Sequence, residues 1–437
     1  MDASVKGPAT GKRAGNGPLI TGSGAASIGI ASGDTAVSGY GVLVIVAHVL
    51  SPARNADFLV YWSLLFALIG VYGGLQQEAT RAVATAEMLP AVPLAPRRRS
   101  PILLWSLVVA AALTVLALAA SPWWRSSVLV GSAPLAVLLL CGGGMVYSGH
   151  LTVVGIMSGR RQWSATAVLI GAESLLRLVI VGAAALAGVG LGGFEAAATA
   201  STALWLLMPL VSPTLRSAIR APADAPPAQV VRRSLQAMLA ALGSSALVVG
   251  FPTLLRLSST TAEWATAAPL VLAISVTRAP LLIPLNAFQG VAIGYFLDPR
   301  RGRAAAMVRV IGGIVGVGVI GAVLAALVGP PLMGLFFGPA YRVSGVVLGA
   351  LTLAAVALAV LTMTGAGVLS LAHHRAYAAG WLVAMAVSLG LVFAPMSLSA
   401  RAILALAAGP VAGIAVHAFA LRGTARAAGG SGGRSAA

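Results

Sequence analysis

Arg278 stands in an apolar stretch with no acidic residue within one helical turn. A guanidinium keeps its charge and offers paired donors that match phosphate or carboxylate. At 100° per residue, Ser275, Asn286 and Gln289 fall within roughly a quarter-turn of it. Pro280 and Pro284 follow and predict a bend there. Two readings fit Arg278: it faces an anionic substrate across a cavity, or it pairs with Asp34 or Glu173 from another helix. Asn286 and Gln289 join it as candidate substrate contacts.

Three further groups stand out because polar side chains inside a span are costly. Asp34 lies on a stripe with Ser27, Ser38, Gly41 and His48, which suits a helix facing water and a carboxylate that binds a proton or Na⁺. The other reading is a hydrated or capping residue near a helix start. Glu173 and Arg177 are four residues apart, so they neutralise each other on one helix; Arg177 could also share its charge with an anionic substrate, and Glu173 could join Asp34 in ion coupling. Glu78 and Arg81, three apart near the end of a run, read as a structural pair at the membrane interface.

Other chemistries lack support. His48, His150 and His417 lie in separate runs without ligand spacing, and Cys141 is the single cysteine. Neither a metal site nor a disulfide is expected. No GxxxxGK[ST], GxSxG or HExxH occurs, so the chain is expected not to be an enzyme and to carry no cofactor.

The elements that position these groups are membrane spans. Hydrophobic residues make up 59% of the 437 and charged ones 9%, with a mean hydropathy of +0.95; soluble domains carry about 25% charge. A span needs about 20 apolar residues. Apolar runs fall near 25–50, 56–79, 101–120, 127–157, 164–187, 196–212, 235–256, 265–296, 305–328, 344–370, 376–394 and 401–421. This predicts an all-α integral membrane fold of about twelve helices. Residues 1–23 and 423–437, rich in Gly, Ala and Ser, read as disordered tails. The Pro- and Arg-rich stretch 213–234 reads as a linker between an N-lobe over 24–212 and a C-lobe over 235–422.

The net charge of +18 sits in short clusters between the runs, which points to cytoplasmic loops and not to nucleic acid. With the N-terminus inside, 21 Lys and Arg fall on the cytoplasmic side, 5 on the other and 2 within spans. Both termini are therefore expected to be cytoplasmic. A short repeat supports the six-and-six division. Gly155-Ile156-Met157-Ser158, before Arg160, matches Gly367-Val368-Leu369-Ser370, before Arg375, at an offset of 212. Six helices between copies give parallel repeats, a transporter arrangement.

Several stretches carry a resemblance. They are Ala47-His48-Val49-Leu50-Ser51-Pro52 through Asp57-Phe58 to Gly74-Leu75-Gln76-Gln77-Glu78-Ala79-Thr80-Arg81; Leu335-Phe336-Phe337-Gly338-Pro339-Ala340-Tyr341-Arg342; and Arg278-Ala279-Pro280. Together they resemble the polysaccharide-biosynthesis (Wzx-like) branch of the multidrug/oligosaccharidyl-lipid/polysaccharide (MOP) exporter superfamily. The resemblance implies a V-shaped transporter of two six-helix lobes in a bacterial cytoplasmic membrane. Its implied task is flipping a polyprenyl-diphosphate-linked glycan to the outer leaflet by alternating access, with envelope glycosyltransferases or polymerases as candidate partners. It also implies that cavity arginines hold the diphosphate, a role Arg278 fits, although the first span carries Asp34 where related flippases carry arginine. A cation-coupled multidrug (MATE-type) antiporter and a non-transporting envelope scaffold are the alternatives.

Overall fold

The computed structural model describes residues 22–88, 101–278, 281–282, 303–371 and 373–432. Among these, nine helices are long and apolar enough to cross a membrane. They are span 1 (Gly22–Val49), span 2 (Pro52–Met88), span 3 (Ile102–Ala119), span 4 (Leu135–Gly159) and span 5 (Trp163–Leu186). Span 6 runs Leu191–Ala200 and, after one 3₁₀ turn, Leu204–Val211. Span 9 is Arg303–Phe337, span 10 Gly345–Ser370 and span 12 Leu398–Gly432.

Further apolar helices lie at the positions expected for spans 7, 8 and 11, and counting the bent pair as one span brings the described spans to ten. Span 7 is broken: Pro227–Val248 and Phe251–Leu257 meet at a bend of 74°. Pro252, in the first turn of the second piece, removes an amide that a continuous helix would need. Span 8 begins as Ala268–Arg278, and span 11 is His374–Leu391. The expected all-α membrane fold is present, and the nine or ten spans of the described residues are roughly consistent with the expected twelve. The helix of span 12 runs on to Gly432, in keeping with the helix propensity of the Ala and Arg residues near its end.

Packing repeats at a step of six. Span 4 packs on spans 3 and 6, and span 5 on span 6; likewise span 10 packs on spans 9 and 12, and span 11 on span 12. Spans 1 and 5 pair as spans 7 and 11 do. Spans 4 and 10 are the centres of their halves, 61% and 72% buried over their apolar windows, while span 9, at 11%, presents apolar side chains outward. That outward face suits lipid. Gly142-Gly143-Gly144 lies within unbroken helix, where Gly143 admits Thr199 and Gly144 admits Leu68.

The two matching junctions close alike. Gln162 N–H donates to Met157 O at 2.9 Å and His373 N–H to Val368 O at 3.2 Å. Gln162 has φ −84° and ψ 58°, and His373 φ −84° and ψ 61°. Both bonds are the six-to-one closure of a Schellman turn. Equivalent positions are thus 211 residues apart, one fewer than the short sequence match gives. Arg161 takes φ 58° at the first turn, where glycine is usual.

The halves meet along spans 2 and 7. At Gly74 any Cβ would strike the Ala237–Met238 backbone, 2.6 Å from Ala237 C and 2.7 Å from Met238 Cα, so glycine permits this approach. Span 1 reaches span 8 through the Tyr40 hydroxyl, which donates to Ser275 O at 3.0 Å. At the end away from the 213–234 stretch, buried Asn55 donates to the Tyr341 hydroxyl at 3.0 Å.

Candidate functional site

A cavity of about 280 Å³ lies where the halves meet. Span 1 contributes Thr35, Gly39 and Tyr40; span 2 contributes Trp62, Ser63 and Phe66; the break in span 7 contributes Val248, Val249 and Pro252; span 8 contributes Ser275 and Arg278. No carboxylate is among the described lining residues, and Arg278 is their one charged side chain.

The sequence places Arg278 here because the face of span 8 that carries Val271, Ile274 and Ser275 also carries Arg278. Its side chain is 6% exposed. Nη1 donates to Leu247 O at 2.9 Å and Val248 O at 3.1 Å, the carbonyls left free where span 7 breaks. These carbonyls carry the negative end of that helix dipole. The guanidinium carbon sits 5.4 Å from the Phe251 ring centroid, within cation–π range. Nη2 is buried and has no hydrogen-bond partner among the described residues. Neither Asp34 nor Glu173 pairs with it there. Asn286 and Gln289 lie outside the described residues.

Arg177 stands one layer behind the cavity. Its guanidinium pairs with Glu173 on the same helix, and Nε donates to Ser201 at 3.2 Å. Ser201 in turn donates to Glu173 at 2.7 Å, and the Tyr147 hydroxyl reaches the second Glu173 oxygen at 3.5 Å. The Arg177 carbon lies 4.9 Å from the Phe66 ring and 5.9 Å from the Trp62 ring, both rings of the cavity wall. His150 stacks on Tyr147 with centroids 4.6 Å apart. The pair is therefore neutralised and hydrogen-bonded within the N-terminal half.

The Asp34 stripe turns toward span 5. Asp34 accepts a hydrogen bond from Ser174 at 2.7 Å, and Gly41 sits against Leu178. The neighbouring face, through Thr35, Gly39 and Tyr40, lines the cavity instead. The expectation that Asp34, Ser38 and Gly41 face the open space is thus off by about one residue of helix rotation, because a span 5 hydroxyl satisfies the carboxylate.

Glu78 and Arg81 pair through two contacts, 2.6 and 2.8 Å. Arg81 also grips Asp224 of the 213–234 stretch at 2.9 and 3.1 Å, and Arg233 approaches Asp224 at 3.4 Å. Sequence reasoning missed Asp224, although it is the one acid in that stretch. It also missed Glu195, fully buried on span 6 and bonded to Ser132, and the aromatic wall of Tyr40, Trp62 and Phe66. Asp34 and the Glu173–Arg177 pair remain the ionic features nearest the cavity in the N-terminal half. Among the described residues no cluster of three His, Cys, Asp or Glu side chains is arranged to hold a metal.

Comparison with known proteins gives two results. In fold, the chain resembles an inward-facing multidrug resistance MATE family transporter of the MOP superfamily, with a TM-score of 0.66 and 16% identity over 89% of this chain and 94% of that one. It also resembles a MOP superfamily transporter from Pyrococcus furiosus described as having a binding pocket of reversed polarity, with a TM-score of 0.62 and 15% identity over 91% and 95% of the two chains. No family model matches the chain. In sequence, it is 38% identical over 411 residues, 94% of each chain, to the uncharacterized protein Rv3630 of Mycobacterium tuberculosis and, to the same extent, to Mb3654 of Mycobacterium bovis. It is 38% identical over 405 residues, 93% of each chain, to the uncharacterized protein Rv1510 of Mycobacterium tuberculosis. The chain is a multi-pass α-helical membrane protein with the fold of MOP-superfamily transporters, and it belongs to the protein family of Rv3630 and Rv1510.

Proposed function

We propose that the protein is an alternating-access transporter that moves an anionic, lipid-linked sugar precursor across a bacterial cytoplasmic membrane. The observation that carries this reading is the charge of the cavity. Its described wall holds one cation, Arg278, with a buried unpartnered Nη2, and no carboxylate. A buried guanidinium edge with an open donor attracts phosphate oxygens and repels a cationic drug. The aromatic wall of Tyr40, Trp62 and Phe66 suits sugar rings beside that charge. Arg278 is the substrate contact, with Asn286 and Gln289, which follow it in the sequence, as candidate companions. Asp34, beside Ser174, and Glu173 are the candidate ion-coupling groups. Two six-helix lobes joined at 213–234 move against each other, and both termini face the cytoplasm.

Mass spectrometry of lipids that co-purify with the protein tests this reading. Polyprenyl-diphosphate sugars are expected with the wild type and are expected to be lost in Arg278→Ala at equal protein abundance. Cationic drugs bound in their place, with efflux dependent on Asp34, would overturn the anionic reading in favour of an antiporter. Unaltered phenotype after neutralising Asp34, Arg177 and Arg278 together would point to a scaffold.

A further inference from the structure

The break in span 7 leaves three consecutive carbonyls without helical partners, and both halves of the molecule hold them. Arg278 Nη1 takes Leu247 O and Val248 O from within its own half. Ser63 Oγ, from the opposite half, donates to Val249 O at 2.8 Å and lies 3.2 Å from the Thr253 hydroxyl. Arg278, Ser63, Val248 and Val249 all line the cavity. The clamp on the bend and the candidate binding site are therefore the same few atoms.

We infer that Arg278 is shared between the ligand and the span 7 bend, so that an anion bound in the cavity draws the guanidinium off the Leu247 and Val248 carbonyls and frees the bend to move. This rests on the reading of the cavity as an anion site. The physical basis is competition. Two neutral carbonyls at a helix end hold a guanidinium by charge–dipole attraction, while a diphosphate offers full negative charge and paired acceptors. Nη2 is already unpartnered and supplies the first contact; Nη1 follows. Ser63 then remains the one described side-chain donor on these carbonyls. Since it belongs to the opposite half, the bend passes from control by its own half to control across the interface. A ligand acts on a conformational equilibrium only through differential affinity, and the contest for Arg278 supplies it. Arg278 is thus a positioning residue for the bend as well as a ligand contact.

Hydrogen exchange on the full chain in detergent micelles, with inorganic pyrophosphate as the probe, tests this. Binding is measured in parallel by equilibrium dialysis. In the wild type, pyrophosphate is expected to speed exchange across Ser245–Leu257 about tenfold, the loss of one charge-assisted bond. Arg278→Gln is expected to show that faster exchange without the probe and no response to it. Ser63→Ala is expected to raise basal exchange yet keep the response. Should Arg278→Gln fail to fold, Arg278→Lys keeps the charge but loses the paired donors and is expected to give a reduced response. Pyrophosphate binding without altered exchange overturns the inference and leaves the anion-site reading standing. An absence of binding overturns both. A folded Arg278→Gln with wild-type exchange at the bend overturns the inference whatever the binding shows.

Discussion

The two halves repeat a packing plan but treat buried charge in opposite ways. The N-terminal half holds Glu173 and Arg177 as a sealed pair, closed by Ser201 and Tyr147, and ties Asp34 to Ser174. In the C-terminal half, the described interior holds Arg278 against carbonyls and His417 between the Thr364 hydroxyl and Tyr377 O, at 3.0 and 3.3 Å. A sealed pair confers rigidity and leaves little field outside itself. An arginine held, among the described residues, by backbone dipoles and an aromatic face, with no carboxylate partner, keeps its charge available to whatever enters the cavity. On the proposed function, the sealed pair would belong to the scaffold and Arg278 to the ligand response.

The sharpest way to break this comparison is to open the sealed pair. Glu173→Gln leaves Arg177 as a buried uncompensated charge, which costs about 3–5 kcal/mol; both partners are at most 5% exposed, so solvent screening offers little relief. The expected result is a large fall in thermal stability in micelles. Glu173→Gln combined with Arg177→Leu should recover most of it. If the single change is tolerated without loss, the pair is not sealed and Arg177 has a second counter-charge. A smaller effect is expected where the halves touch. Gly74→Ala places a methyl group against the Ala237–Met238 backbone, and such overpacking costs about 1–3 kcal/mol. Gly73→Ala, one residue away with open space at its Cβ, is the control and should be near neutral. Since Ala favours helix over Gly at either position, a Gly74→Ala that is no less stable than Gly73→Ala would mean that the close span 2–span 7 approach does not matter.

Much of this architecture is legible in the sequence because lipid imposes one rule, that every span be long, apolar and helical. The twelve runs follow from that rule, as does the expectation that Glu173 and Arg177 neutralise each other at a spacing of four. The cavity wall is less legible. Tyr40, Trp62 and Phe66 read as ordinary apolar residues in their runs, and only the meeting of spans 1, 2, 7 and 8 gives them a common surface. The contact of the Asp34 stripe with span 5 is not legible either, since the hydroxyl that satisfies Asp34 comes from Ser174, 140 residues away. The partners of Arg278 are backbone carbonyls freed by a bend, and no residue identity signals them. Asp224 was hidden for the opposite reason: a lone acid among prolines reads as a solvated loop until Arg81 is seen to reach it.

The smallest expected effect sets the described ion pair of the C-terminal half against the sealed pair of the other. Glu263 sits in the turn before span 8 and completes a capping box with Thr260. Its carboxyl is held below the usual range first by the Thr260 amide, which donates to it at 2.9 Å, and further by Arg401, also at 2.9 Å. A carboxyl lowered on folding stabilises the protein fully above its unfolded value near 4.3, and that contribution fades as pH falls through the folded value. The Glu263 side chain is 34% exposed, so the ion pair contributes at most about 1 kcal/mol after screening. Wild type should therefore melt slightly above Glu263→Gln at pH 7, with the gap closing as pH falls below about 4 and narrowing in high salt. Glu173→Gln should show no such narrowing with salt, because its pair is buried. A Glu263 gap that persists unaltered to pH 3 would mean that packing of the turn, and not the carboxylate charge, holds span 8 to span 12.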